Sequence, residues 1–252
     1  MNSKKIIRLL FLLLFSFFPW MELSAVSYSL KEKFLHAHVG DYIVTKHDRT
    51  LSLLIVRSIS EGILVLEEIA VPDTHLKELS KNVSLWVKNR APGHTAWTFF
   101  EINLQSGTLL SCFSQSKQEW LHPQGGELFL SKLLALSFTF VEDEDRKKIG
   151  PPPQTGEIDT RRIWNPPLVF EGEKQNEPRF LVAQTRWGKE DSLLSSCLIH
   201  LYFNAKEPDF PFPYWIEIQS PHYAVKIPTI NSGKNLQSPV KFEFIDKGEK
   251  KK

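Results

Sequence analysis

The stretch DYIVTKHDRTLSLLIVRSISEGILVLEEIAV (residues 41–71) decides the fold class. Aliphatic and β-branched residues dominate three segments of it, 41–48, 51–59 and 63–71, and turn-forming residues separate them. Segments of this length and composition predict three strands of an antiparallel meander. The third segment is apolar almost throughout, which indicates a strand buried on both faces with a helix packed beside it.

Three other segments have the features of helices. Ser29 and Glu32 form a capping box, in which each side chain can bind a backbone N–H of the other, and predict a helix over about 30–38. Apolar residues recur at helical spacing in DTHLKELSKNVSLWVKN and predict a helix over 73–89. A third, shorter helix is predicted over about 127–136.

Strand patterns fill most of the remaining chain. A hairpin is predicted over residues 95–115 with its turn at Ser106-Gly107, and five further strands lie within 178–187, 192–204, 214–220, 222–230 and 240–245. Strands and helices do not alternate as in a parallel sheet. The predicted fold is therefore α+β and mainly β. It is a large curved antiparallel sheet, or half-barrel, of about eight to ten strands, with two or three helices on its concave side.

The N-terminal residues 1–25 have the layout of a secretory signal peptide. Lys4, Lys5 and Arg8 precede an apolar run over 9–18, and small residues up to Ala25 suit a cleavage site. The apolar run is about half the roughly 20 residues that a membrane-spanning helix needs. We therefore expect cleavage after Ala25 and a periplasmic or secreted protein without a transmembrane span.

The charge balance changes once this leader is removed. It holds three of the 31 basic and one of the 29 acidic residues, which leaves 28 of each in the mature chain. Binding to nucleic acid needs a clustered basic face, and the only basic cluster is the tail within 247–252. Nucleic acid is therefore not an expected partner. The remaining 26–246 are predicted to form a single β-rich domain.

Motifs for catalysis, cofactors or metals do not stand out. His36 and His38 are the closest histidine pair, but no third ligand lies near them in sequence. Ser195-Ser196-Cys197 lies within a predicted strand rather than on a nucleophile turn. Phosphate-binding glycine loops are absent. We expect no catalytic residue, no metal and no cofactor, and the sequence favours a non-catalytic protein without excluding an enzyme.

Cys112 and Cys197 are the two cysteines of the chain. Both lie in apolar, strand-like stretches, and export would place them where disulfides persist. Two interpretations remain open, a Cys112–Cys197 disulfide or two buried thiols.

Aromatic residues are the main positive signal. They either fill the core of a wide sheet or line an apolar groove between the sheet and its helices that accepts an acyl chain or an apolar peptide. The residues assigned to such a groove are Trp86, Trp97, Phe99 and Trp215.

The segment 141–170 contains two proline runs beside charged and apolar residues. Consecutive prolines hold an extended conformation and cannot donate to a sheet ladder. We interpret residues 145–167 as an ordered crossover that braces two β-rich halves, with the two arginines pairing to the acidic run 142–145. A surface recognised by a partner and an interdomain hinge are the alternatives. The brace residues are Pro151, Pro152, Pro153, Arg161, Arg162 and Trp164.

Several motifs together resemble a known group of proteins. DRKKIGPPP (145–153), WNPP (164–167), TRWGKEDS (185–192), FPFPYWIEI (210–218) and NSGKNLQSP (231–239) are similar to uncharacterised exported envelope proteins of chlamydial-type bacteria. The resemblance covers most of the mature chain and implies no activity. A second resemblance is architectural only, to periplasmic lipoprotein carriers and their receptors, and fold similarity does not imply function.

Two functions from different classes follow. The first is an exported, non-catalytic binding or carrier protein for an apolar ligand in the cell envelope, such as a lipid, an acyl chain or a lipoprotein. The alternative is a structural, assembly or secreted protein-interaction component of the envelope, whose partner is another envelope protein.

Overall fold

The computed structural model describes residues 28–121, 129–189 and 194–241. The predicted signal peptide, the C-terminal tail and most of the strand expected at 240–245 lie outside these residues. The fold class predicted from the sequence is confirmed, since the chain is mainly β and its large antiparallel sheet is not closed into a barrel.

Over the described residues the large sheet has twelve strands, more than the sequence predicted, and β9 and β10 form a separate two-stranded sheet. The strands in chain order are β1 (Tyr28–Ser29), β2 (Tyr42–His47), β3 (Thr50–Ser60), β4 (Ile63–Pro72), β5 (Ala96–Asn103), β6 (Leu109–Ser114), β7 (Glu119–Leu121), β8 (Ser137–Phe140), β9 (Val169–Phe170), β10 (Glu173–Lys174), β11 (Phe180–Arg186), β12 (Leu198–Asn204), β13 (Trp215–Gln219) and β14 (Ala224–Gly233). Their spatial order in the large sheet is β1-β8-β11-β12-β13-β14-β2-β3-β4-β5-β6-β7. Near the middle of this order, β14, which comes late in the chain, pairs antiparallel with β2, which comes early in the chain. This pairing joins the two halves of the sheet.

The helices of the described residues are short. They are α1 (Leu30–Leu35), α2 (Leu76–Lys81), α3 (Val83–Lys88) and α4 (Phe129–Ala135), with a 3-10 turn at Asp73–His75. Ser29 caps α1 as predicted, its hydroxyl accepting a hydrogen bond from the Lys31 N–H. The single helix predicted over 73–89 is interrupted at Asn82. The backbone of Asn82 leaves the helical region, and its side chain accepts a hydrogen bond from the Leu85 N–H, so a new helix begins there.

Apolar residues form two clusters on opposite faces of the β2–β6 region. Along β5, Trp97 and Phe99 belong to the cluster that contains residues of α2 and α3, whereas Phe100 and Ile102 belong to the cluster that contains residues of α1 and α4. Successive side chains of a strand point to opposite faces, so both faces of this region need cover. The helices are accordingly divided between the two faces, which corrects the expectation that all of them lie on one concave side.

The proline-rich segment does not cross between the two halves of the sheet. It leaves β8 and leads, through β9 and β10, to β11, which is the neighbour of β8 in the sheet. The chain passes from one half to the other earlier, between β7 and β8, along the connection that contains α4. The crossover predicted at 145–167 is therefore misplaced, because sequence alone does not reveal which strands are neighbours.

Candidate functional site

An apolar cleft of about 280 Å³ lies where β1 and α1 meet the strands β8, β11 and β12. We call it the apolar cleft, and it is lined by Tyr28, Glu32, Lys33, His36, Phe140, Leu181, Phe203 and Pro208. The helix places its apolar side on the core, since Leu30 and Phe34, four residues apart, are both fully buried. The polar residues Glu32, Lys33 and His36 of the same segment line the cleft.

The strands supply the apolar surface of the cleft. Tyr28 packs its ring 5.0 Å from that of Phe140 and 5.9 Å from that of Phe203. Leu181 lies directly opposite Phe203 in the β11–β12 pair, so the two side chains share one face of the sheet. Phe140 and Leu181 keep 39% and 46% of their surface exposed. Large apolar side chains thus remain accessible within a concave site.

Lys33 is the unusual polar residue of the apolar cleft. Only 8% of its surface is exposed, its ammonium group donates a hydrogen bond to the Pro208 carbonyl, and it lies 5.0 Å from the centre of the Phe203 ring. Burial lowers the pKa of Lys33, and the nearby Asp209 carboxylate opposes that change. A nearly buried cation beside an aromatic ring is a group that an acidic ligand can neutralise.

Tyr28 contributes a second buried polar group to the apolar cleft. The Tyr28 hydroxyl is buried and has no hydrogen-bond partner in the described part of the chain. Burial raises the pKa of Tyr28 well above its usual range, so it remains a neutral donor. Over residues 28–121, 129–189 and 194–241 the structure places no three His, Cys, Asp or Glu side chains together as a metal site would need.

The four residues of the predicted aromatic groove do not come together. Trp86, Trp97 and Phe99 are buried in the cluster of α2 and α3, where they fill the space between helices and sheet. Trp86 also lines a shallow cleft on the helix surface. Trp215 packs with the other cluster, 5.4 Å from the Trp164 ring. The prediction of a groove shared by all four is therefore wrong, because the sheet and its helices place Trp215 against one cluster and the other three residues in the other.

The predicted brace is a projecting hairpin. Its arms lie at residues 147–149 and 162–164, and we call residues 147–164 the proline hairpin. The backbone contacts between its arms are Lys148 with Ile163, the Ile149 N–H with the Arg162 carbonyl (2.9 Å) and the Trp164 N–H with the Lys147 carbonyl (2.7 Å). Trp164 anchors it on the sheet against Tyr202 and Trp215. Pro151 and Pro152 are exposed beyond the arms, and Pro153 is half-buried.

Charged contacts hold the proline hairpin together in an unexpected way. Arg161 donates to Asp159 from Nε and Nη2, both at 2.9 Å, and to the Gly150 carbonyl at 3.1 Å. Lys148 binds the same carboxylate at 2.9 Å. Hydrogen bonds from Arg161 and Lys148 hold the pKa of Asp159 well below its usual range. The expected pairing of Arg161 and Arg162 with the acidic run 142–145 is wrong. Arg161 binds Asp159, which lies closer along the same loop, and the Arg162 side chain pairs with no carboxylate among the described residues.

The two cysteines are buried and not joined by a disulfide. Cys112 lies on β6 and Cys197 just before β12, and six strands separate β6 from β12 in the sheet. The Cys197 sulfur instead lies 3.5 Å from the Tyr223 hydroxyl. Of the two interpretations left open by the sequence, the structure has the buried thiols.

Sequence reasoning did not identify the residues of the apolar cleft. They come from β1, α1, β8, β11 and β12, which are distant in sequence. One signal was present in the run Phe180-Leu181-Val182-Ala183, which is apolar on both faces of its strand. Such a run is typical of a strand covered on two sides. In β11 the face that carries Leu181 is covered only in part, since Leu181 is 46% exposed.

Comparisons with known proteins support the resemblance drawn from the motifs. The family model described as CT021 protein matches residues 52–176, which is 125 of the 252 residues. Among solved structures, the hypothetical protein CT021 from Chlamydia trachomatis matches with 21% sequence identity and a TM-score of 0.62, over 86% of this chain and 98% of that one. Comparison with curated proteins finds no match. The resemblance to uncharacterised chlamydial proteins is thus confirmed, and the structural match shows a shared fold.

Proposed function

We propose that the mature protein is a non-catalytic binding or carrier protein that takes up an apolar ligand, such as an acyl chain, in the apolar cleft. The observation that carries this proposal is the exposure of Phe140 and Leu181 inside a concave site. Ligand pockets are concave and mostly apolar, with a few polar groups that orient the ligand. The apolar cleft has that composition.

Size and charge narrow the ligand class. A volume of about 280 Å³ is at the small end of ligand sites, which span about 300–1,000 Å³. The apolar cleft therefore suits a short chain or the end of a longer one. Lys33 at its wall favours a chain that carries an acidic group, because the carboxylate would pair with a cation that is poorly solvated.

A binding experiment tests this function. A dansyl-labelled fatty acid is titrated into mature wild-type protein and into Leu181→Glu, which places a carboxylate at an exposed cleft position where folding tolerates it. We expect the substitution to weaken binding at least about tenfold, since a charge next to an acyl chain forfeits apolar burial. Leu110→Glu is the matched control, because Leu110 is 44% exposed on β6, outside the apolar cleft.

The outcomes separate clearly. Saturable binding that Leu181→Glu weakens and Leu110→Glu leaves unchanged supports the proposal. Binding equal in all three proteins, or none in wild type, overturns it. Preference for the free acid over its methyl ester, lost in Lys33→Met, would assign Lys33 to the acidic group. Equal binding of acid and ester by the wild-type protein would show that Lys33 does not recognise an acidic group. The proposal of an apolar ligand would then stand without that role for Lys33.

A second candidate function rests on the proline hairpin. Ile158 is 89% exposed at its end, and Pro151 and Pro152 are also exposed. Extended proline runs are recognised in aromatic-lined grooves because little entropy is lost on binding. The alternative is therefore a protein-interaction component that offers this hairpin to a partner. A photo-crosslinkable residue at position 158 should then capture one defined partner in cells, and the same residue at exposed position 88 on α3 should not.

A further inference from the structure

A second and larger cleft lies at the foot of the proline hairpin. It is an open cleft of about 550 Å³ between the hairpin's returning arm, the segment before β11 and the segment after β12. Arg162, Arg179 and Lys206 line it, and Glu177 is the carboxylate among its lining residues. We call it the basic cleft. Its three cations come from three separate segments, so only the folded chain brings them together.

Some cations on the loops of the protein are paired with carboxylates. Lys148 and Arg161 are bound to Asp159, and Lys234 to Glu207. In contrast, the side chains of the three cations of the basic cleft make no ion pair or hydrogen bond with other residues that the structure describes. Three cations and one carboxylate, Glu177, line the basic cleft, so the cations outnumber the counter-charge and repel each other. A cleft of net positive charge also concentrates negatively charged ligands. An anion is the ligand that relieves this repulsion.

Hydrogen-bond donors dominate the wall of the basic cleft. Arg146 donates from Nη2 to the Asn165 side-chain oxygen at 2.7 Å and from Nη1 to the Phe180 carbonyl at 3.1 Å. Because the amide oxygen of Asn165 is engaged, its amide nitrogen is the group left for a ligand. Arg146 is not among the residues that line the basic cleft, and its Nη1 also pairs with Asp143 Oδ1 at 3.0 Å. The donors that do line the cleft, which are the Asn165 amide nitrogen and the three cations, are the complement of an oxygen-rich anion.

We propose that the basic cleft binds a phosphate-type oxyanion on a small polar ligand, held by Arg162, Arg179 and Lys206. Guanidinium groups match phosphate in a two-bond geometry that an ammonium group cannot form. Glu177 accepts hydrogen bonds from hydroxyl groups, so the ligand is a phosphate ester that carries hydroxyls rather than bare phosphate. Such a group occurs both in free glycerol phosphate and in the headgroup of phosphatidylglycerol. The basic cleft and the apolar cleft share no lining residue, and this proposal does not depend on the proposed function.

Titration calorimetry on the mature protein tests the proposal with three probes. They are inorganic phosphate, glycerol phosphate, and phosphatidylcholine vesicles with and without phosphatidylglycerol. We expect glycerol phosphate or the anionic vesicles to bind and inorganic phosphate to bind more weakly. Arg179→Gln should weaken that binding about tenfold or more, since a charge-assisted hydrogen bond is lost. Lys206→Gln serves as a second variant, and Arg49→Gln, an exposed arginine at the β2–β3 turn, is the charge-matched control.

Each outcome decides the matter. Binding of free glycerol phosphate assigns a soluble ligand, and binding of anionic vesicles alone assigns a lipid headgroup. Either result supports the proposal if both cleft variants weaken it and the control does not. Absence of binding by all probes, or equal losses in Arg179→Gln and Arg49→Gln, overturns it. Unfolding transitions matching that of wild type would show that the variants are folded. If one cleft variant fails this check, the other decides.

Discussion

A buried ion pair on the α2–α3 face of the sheet allows a quantitative prediction. The Glu67 side chain on β4 is fully buried. Its Oε2 accepts a hydrogen bond from Arg57 Nη1 at 2.7 Å, and its Oε1 accepts from Trp97 Nε1 at 2.5 Å and Ser238 Oγ at 2.8 Å. Arg57 also binds the Val240 carbonyl at 2.9 Å. The pair therefore ties the C-terminal segment to the sheet.

Replacing Arg57 by Met keeps the length of the side chain and removes its charge. The Glu67 carboxylate then remains buried without its cation, which typically costs about 3–5 kcal/mol. That is a large part of the roughly 5–15 kcal/mol that stabilises a typical domain. We expect the midpoint of urea unfolding to fall accordingly. Arg57→Met/Glu67→Gln should recover part of the loss, because the double variant contains no buried charge.

The loss should depend on pH. Burial already raises the pKa of Glu67 despite the opposing effect of Arg57, and removing Arg57 raises that pKa further. A carboxyl with a raised folded-state pKa contributes its stability in full below its unfolded pKa of about 4.3, and this stability is lost as pH rises through the folded pKa. The cost of Arg57→Met should therefore be smallest near pH 4–5 and increase toward about pH 8.

Urea unfolding followed by tryptophan fluorescence, at about pH 5 and about pH 8, measures both effects. Arg49→Met is the control, since an exposed arginine should change the free energy of unfolding by no more than about 0.5 kcal/mol. A cost for Arg57→Met below about 1 kcal/mol at about pH 8, or equal costs at both pH values, would refute the role given to the buried pair.

Three further predictions concern the buried residues Asn231 and Cys112 and the half-buried Glu68. Asn231→Ala should lower the free energy of unfolding by about 2 kcal/mol, because the Asn231 amide donates to the Leu79 carbonyl at 2.9 Å; an unchanged urea midpoint would contradict this. Burial, with a smaller effect of Glu68, raises the pKa of Cys112 to about 11, so its alkylation in native protein at about pH 8 should be far slower than in denaturant; equal rates would show an accessible thiol. Burial also raises the pKa of Glu68 itself, although Ser52 donates to it at 2.5 Å. Glu68→Gln should therefore raise the melting temperature at about pH 8 and have less effect as the pH falls through the folded-state pKa. A lower melting temperature at about pH 8 would argue against a carboxylate destabilised by partial burial.

Local features of the fold were predictable because strands and caps depend on neighbouring residues. The alternation and turns within 41–71 specify three strands, which the structure has as β2, β3 and β4. Ser29 begins α1 because a hydroxyl at that position satisfies a helix N–H. The division of the predicted 73–89 helix was harder to predict from the sequence. An asparagine such as Asn82 can lie on the polar face of a continuous helix or can cap the start of a new one.

The candidate sites were not predictable, because they consist of residues brought together from distant segments. Leu181 and Phe203 face each other only through the β11–β12 register, and Arg162, Arg179 and Lys206 converge only at the foot of the proline hairpin. No local pattern carries that information.

The sequence by itself determined that this is a mainly β protein with an antiparallel sheet, since hydrophobic periodicity and turn residues act over a few positions. Tertiary structure alone decided that β14 pairs with β2, that the helices cover both faces, and that the proline run forms a hairpin instead of a crossover. The physical reason is that strand order and the burial of each face depend on contacts between residues far apart in the chain, and the free energy of those contacts belongs to the assembled sheet.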